Sequence, residues 1–286
     1  MLPIINELTG IQIAWAQNMI RTETDDGWLL VGHQDHARLA GEFGRLWGNN
    51  RFPAPEPLED VLLAVSRHDD AWASRDASPE QAPDGTPAAF SKDLVGTYSA
   101  FENIDLGAYL DVRGQATEAV ARENPLAAVL VSMHTVNLLT EQADLSRLSP
   151  ADRILHRDFV EAQRRRQEAL KAEIPAPKRP SGEQFEQAFR FLQACDSLSL
   201  MACVAYPESS PLRHRHPTKS GEEASILCHP QGSGAFRLEP WPLRGESQIF
   251  SVPALAVRGK YFRSEEAFHE ALQTGNRQMI QITIHP

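Results

Sequence analysis

Apolar residues recur at helical spacing through most of the first two thirds of the chain, then give way to short runs broken by Gly and Pro. Residues 1–33 read as extended, with residues 19–24 and 28–31 flanking Asp25-Asp26-Gly27, a hairpin turn. A helix is expected from His33 to Asp35 onward, capped by Asp35, with His36, Leu39, Ala40, Phe43, Leu46 and Trp47 on its inner face. Residues 49–55, Asn-Asn-Arg-Phe-Pro-Ala-Pro, interrupt the chain. A second stripe then runs through Leu58, Val61, Leu62, Val65, His68, Asp69 and Trp72. Residues 73–114, rich in Pro, Gly, Asp and Ser, read as a long loop able to cover a pocket, where Lys92 could meet an anion.

Helical spacing returns over residues 115–142, with Pro125 as an interruption and Leu126, Val129, Leu130, Met133, His134 and Leu138 on one face. Ser149-Pro150-Ala151-Asp152 opens the next helix, which carries Ile154, Leu155, His156, Phe159 and Val160 and ends in the solvated basic run Arg164-Arg165-Arg166. A proline-rich connector over 174–180 leads to the last stripe, Phe185, Phe189, Leu192, Cys195, Asp196, Ser199, Leu200 and Cys203. Arg213-His214-Arg215-His216 has the look of exposed linker. The segments 224–228, 235–238, 248–252, 255–258 and 279–284 look like strands, and Ser264 caps a short helix.

The architecture expected from this pattern is mainly α. A helical bundle over 34–205 follows an N-terminal β-hairpin extension (1–33). A linker (206–225) then leads to a small antiparallel subdomain (226–286), which the N-terminal hairpin could join.

A net charge of -10 over 286 residues argues against a nucleic-acid backbone or an anionic membrane as partner. A small anionic substrate stays open, because a bound cation would dominate the local field. The three cysteines, with no C-x-x-C among them, look like reduced core residues. The N-terminus lacks a basic region followed by an apolar run, and no apolar run reaches membrane-spanning length. The expectation is a soluble cytoplasmic protein, with homo-oligomerisation left open.

The chemistry concentrates on Arg67-His68-Asp69-Asp70-Ala71-Trp72. Adjacent imidazole and carboxylate can hold one divalent ion from one helix end. A carboxylate on an inward face needs a metal or a hydrogen-bond network, and Asp196, in the middle of an apolar stripe, poses the same alternative. His134 and His156 lie on apolar faces, as ligands or as satisfied core histidines. Together His36, His68-Asp69 and Asp196 stand on three different helices, which a bundle can bring around an ion.

This order resembles the HD superfamily of metal-dependent phosphohydrolases. It also resembles an uncharacterised bacterial family with Gln-x-Asp-His-Ala, His-Asp-Asp-x-Trp and Asp-Ser-Leu-Ser-Leu, here Gln34–Ala37, His68–Trp72 and Asp196–Leu200. The resemblance covers roughly residues 30–205. It implies an HD-like bundle with metal ligands His36, His68, Asp69 and Asp196, and His134 and His156 as further ligands if a second ion binds. Many catalytic members have Gly-Lys after the His-Asp pair, where this chain has Asp70-Ala71-Trp72.

The expected function is hydrolysis of a small phosphoester or nucleotide-like molecule by metal-activated water, with Asp69 or Asp70 orienting the water. The alternatives are a non-catalytic binding or regulatory module and a di-iron oxygenase. One or two divalent ions are expected, with zinc, manganese, iron and nickel as candidates.

Overall fold

The computed structural model describes residues 19–88, 99–100 and 105–286. The hairpin β1 (Ile20–Glu23) and β2 (Gly27–Val31) leads into α1 (His33–Leu46) and α2 (Leu58–Arg67). A 3-10 turn, Asp70–Trp72, and the one-turn α3 (Ala73–Asp76) follow. β3 (Ser99–Ala100) precedes α4 (Leu106–Ala121) and α5 (Pro125–Thr140), and β4 (Ala143–Asp144) precedes α6 (Pro150–Glu173) and α7 (Gly182–Cys203). The chain closes with β5 (Ser210–Pro211), β6 (His216–Pro217), β7 (Glu223–Ala224), β8 (Leu227–Gly232), β9 (Ala235–Glu239), β10 (Gln248–Arg258), α8 (Glu265–Gln273) and β11 (Asn276–His285).

The mainly-α, all-alpha expectation is corrected here. Among the described residues helix makes up 49% and strand 21%, and seven of the strands form a curled mixed sheet rather than a small appendage. Its order is β1-β2-β10-β11-β9-β8-β5, antiparallel except where β11 runs parallel to β9. The sheet was underestimated because Pro253 splits the sequence pattern of β10 into two short runs. In the fold β10 is continuous over 11 residues. β2 pairs only with Leu255 to Arg258, so at Pro253 one side of the strand has no ladder for an N–H to join.

Helices and sheet share one hydrophobic cluster, which includes Phe43, Val65, Leu130, Leu192, Phe250 and Ile282. Phe43 of α1 meets Phe250 of β10 edge-on at 4.6 Å between ring centroids. The helix expected over 115–142 is two helices. Asn124 accepts from the Leu126 and Ala127 N–H groups, and Pro125 takes the first turn. α4 begins at Leu106, inside the stretch read as loop, and Asp105 caps it. The segment expected as a linker holds the buried His216, edge-on to Trp47. No helix among the described residues is long and apolar enough to cross a membrane.

α1 and α2 approach closely through glycine. A Cβ on Gly41 would overlap Ser66 Oγ and lie 3.0 Å from Ser66 Cβ. Gly41→Ala is therefore expected to destabilise the fold by about 1–3 kcal/mol, read as a lower urea midpoint. An unchanged midpoint would mean that α1 and α2 pack less tightly than described.

Candidate metal centre

α1 starts at Gly32, which has no side chain to cap it. The acceptor comes from α3 instead. Asp76 Oδ2 accepts from the His33 N–H at 2.6 Å, and Asp76 Oδ1 lies 2.8 Å from His33 Nδ1. Asp35, expected as the cap, sits in the first turn, where it pairs with Arg38. Trp72 stacks on the His33 ring at 4.9 Å. The start of α1, three residues before His36, is thereby tied to the segment that follows Asp69.

α2 stops at the residues that matter. His68 still has helical angles, but Asp69 has φ -116 and ψ 15, outside the helix. In a continuing helix neighbouring side chains diverge by about 100° and do not face one another. Unwinding at Asp69 lets the adjacent imidazole and carboxylate turn to one point.

At that point four donors from α1, the end of α2 and α7 converge. His36 Nε2 lies 3.2 Å from Asp196 Oδ1 and 3.7 Å from Asp69 Oδ2. His68 Nε2 lies 3.3 and 3.6 Å from the same two oxygens. Four ligands at the corners of a tetrahedron with bonds of ~2.1 Å stand about 3.4 Å apart, and the four imidazole–carboxylate distances bracket that spacing. All four side chains are buried.

The hydrogen bonds behind the ligands strengthen that reading. His68 Nδ1 donates to the Val65 carbonyl at 2.8 Å, which leaves the neutral ring with a lone pair on Nε2. That Nε2 is buried without a hydrogen-bond donor or acceptor among the described residues, facing two carboxylate oxygens. Acceptor against acceptor is repulsive unless a cation lies between them. For His36, Ser199 Oγ donates to the Asp196 carbonyl and so accepts from His36 Nδ1–H, again leaving Nε2 for an ion.

Electrostatics report the same demand. Burial pushes the His36 imidazole down, but hydrogen bonds to Asp196 and Asp69 and their charges outweigh it, raising its pKa to about 9. Burial opposes ionisation of Asp69 too, yet the charges of Arg113 and His68 hold it well below the usual carboxylate range. Asp196 is likewise held low against burial, by the His36 and His68 rings that face it. The pair of carboxylates calls for positive charge, which a proton on His36 supplies in part.

His134, on α5, joins His68 and Asp196 in a second candidate cluster whose ligand atoms lie within 4.8 Å of one another. Its Nδ1 accepts from Gln193 Nε2 at 3.4 Å, and Gln193 is fixed by Asn137 Oδ1 at 2.8 Å and His214 Nε2 at 2.6 Å. The neutral His134 ring then carries its proton on Nε2 and is a donor. Burial pushes its pKa down to about 3.

The remaining sequence candidates lie elsewhere. His156 Nε2 sits on the Leu139 carbonyl at 2.9 Å, outside both clusters. Asp70 is engaged by Arg67 Nε and the Gln34 side chain. Lys92 lies outside the described residues. Arg166 forms a two-pronged pair with Glu118, and Arg165 pairs with Glu161.

Sequence reasoning passed over Arg113, whose Nη1 donates to Asp69 Oδ1 at 2.6 Å while its Nε donates to the Tyr109 hydroxyl at 3.1 Å. The available signal was spacing. Tyr109, Arg113 and Ala116 share one face of a helix hidden in what reads as a loop. Ser199, three residues after Asp196, stands out in the sequence only as part of a stripe. A cleft of about 210 Å3 runs past Trp47, Pro55, Phe191 and His216 and includes none of the candidate metal donors.

A family model matches residues 19–258, which holds every donor named above. The chain belongs to the family described as protein of unknown function, DUF3891. That description carries neither an HD domain nor a hydrolase activity, so both labels rest on no family evidence and the HD expectation stays a resemblance in motif order. No curated protein and no solved structure matches the chain. The DUF3891 match ends with β10, leaving α8 and β11 beyond it.

Proposed function

We propose that the protein binds a divalent metal ion through His36, His68, Asp69 and Asp196 and uses it to hydrolyse a small phosphoester. The observation that carries this reading is the convergence of two imidazole Nε2 atoms and two carboxylate oxygens at 3.2–3.7 Å. An ion bound there would polarise a phosphoryl oxygen and lower the pKa of a bound water. Asp69 and Asp196 hold the charge, Ser199 and the Val65 carbonyl hold the two rings, and the His134 N–H is available to a substrate oxygen. One divalent ion together with Arg113 outweighs the two carboxylates by one positive charge, which favours an anionic substrate.

Asp70, held by Arg67 and Gln34, is not free to orient the water, so this role falls to Asp69 or His134. A second reading, an ion that only staples α1, α2 and α7 together, draws on the burial of all four donors. Elemental analysis of the purified protein, followed by turnover on a phosphoester panel with zinc, manganese, iron or nickel, tests both. Metal with turnover supports hydrolysis, metal without turnover supports the staple, and absence of metal binding removes both.

A further inference from the structure

The two candidate clusters, His36–His68–Asp69 and His68–His134–Asp196, share His68. Their donor chemistry alone would admit one ion or two. Because His68 Nδ1 is spent on the Val65 carbonyl, its Nε2 serves only one ion, and a second ion that drew on Asp69 would need the carboxylate oxygen not facing the first. Asp69 Oδ2 faces the Nε2 atoms of His36 and His68. Asp69 Oδ1 is already taken by Arg113 Nη1.

The guanidinium is fixed in that place. Its Nε donates to the Tyr109 hydroxyl, and its carbon lies 5.2 Å from the centre of the Trp72 ring and 5.3 Å from that of Tyr109. Arginine stays protonated in proteins, and this one is buried, with Asp69 as its ion-pair partner. Charge counting agrees. One divalent ion with Arg113 against Asp69 and Asp196 leaves one net positive charge, whereas a second ion would leave three in a site shielded from water. His156, the remaining histidine in the interval, spends its Nε2 on the Leu139 carbonyl.

We propose that the centre takes a single divalent ion, and that Arg113 supplies the fixed positive charge where a second ion would bind Asp69. Arg113 is then the positioning residue that sets metal stoichiometry. It acts through Asp69, which it restricts to one-oxygen ligation of the ion. This inference rests on the metal-binding reading above and deepens it.

Titration of the chelator-treated full chain with manganese, followed by calorimetry and electron paramagnetic resonance, tests the assignment. The wild type and Arg113→Lys are expected to saturate at one ion per chain, with the resonance pattern of an isolated ion. Arg113→Gln, which keeps an N–H donor but loses the charge, is expected to take up a second, weaker equivalent. Two ions per chain in the wild type, or a spectrum of exchange-coupled ions, would overturn the proposal and leave metal binding itself intact. A folded Arg113→Gln that still saturates at one ion would overturn the assignment to Arg113. If that variant fails to fold, the wild-type spectrum alone decides. No binding in the wild type sinks the metal reading and this inference with it.

Discussion

Asp196→Asn is expected to weaken metal binding about a thousandfold, or ~4 kcal/mol, while the far-UV circular dichroism stays that of the wild type. Asparagine keeps the shape of the side chain and an acceptor oxygen, so its effect separates charge from packing. In this site the charge is what counts. Asp196 Oδ1 stands 3.2 and 3.3 Å from two imidazole nitrogens that both lack a proton on the facing side in the neutral ring. Without that negative charge, an ion would be held against its own desolvation by Asp69 alone, and Asp69 already shares its charge with Arg113. His36→Ala should give a comparable loss of affinity through a missing ligand. If Asp196→Asn bound metal as tightly as the wild type, Asp196 would be a hydrogen-bonded structural carboxylate.

The second large effect is a pH dependence that appears only when the metal is removed. The folded pKa of His36 is about 9, above its ordinary 6.5. A raised histidine contributes stability that is complete below 6.5 and lost as pH rises through 9. The loss should be roughly 3 kcal/mol for the chelated protein, seen as a falling thermal midpoint across that window. Asp69 and Asp196 act in the opposite sense. Their depressed values give stability that is present above the ordinary carboxylate range and lost only as pH falls through their folded values.

Metal saturation should abolish the alkaline loss, because the cation then supplies the positive charge that the proton supplied. Binding must also expel that proton, so apparent affinity should climb about tenfold per pH unit between 6.5 and 9. A flat affinity over this interval would show that His36 enters the site already neutral.

Helical periodicity was informative about which residues face inward and silent about which inward faces meet. His36, His68, Asp69 and Asp196 all stood on apolar stripes, and their buried positions in the fold follow from that spacing. Arg113 could not be found the same way. α4 has little separation of polar and apolar faces, because its one buried face mixes Arg113 and Thr117 with Tyr109, Leu110 and Ala116. Asp76 as the cap of α1 was equally hidden, since the donor and acceptor are 43 residues apart and no local pattern links them.

The sheet was underestimated for a related reason. Its strands are recognisable singly, but their number in one sheet depends on pairings such as β2 with β10, between opposite ends of the chain. His216 shows the same limit in miniature. An alternating Arg-His run reads as solvated, yet the fold buries that histidine against Trp47 while leaving its arginine neighbours nearer the surface.

The position of β11 has a consequence for assembly during synthesis. It lies between β10 and β9, so β1-β2-β10 on one side and β9-β8-β5 on the other are joined through it alone. Yet β11 comes after every other described element in the chain. As the polypeptide emerges from a ribosome, the helices bearing His36, His68 and Asp196 are free to pack while the two half-sheets still expose edges to each other and to solvent. The seam closes only once β11 has emerged, so β11 is the strand that covers the facing edges of β10 and β9.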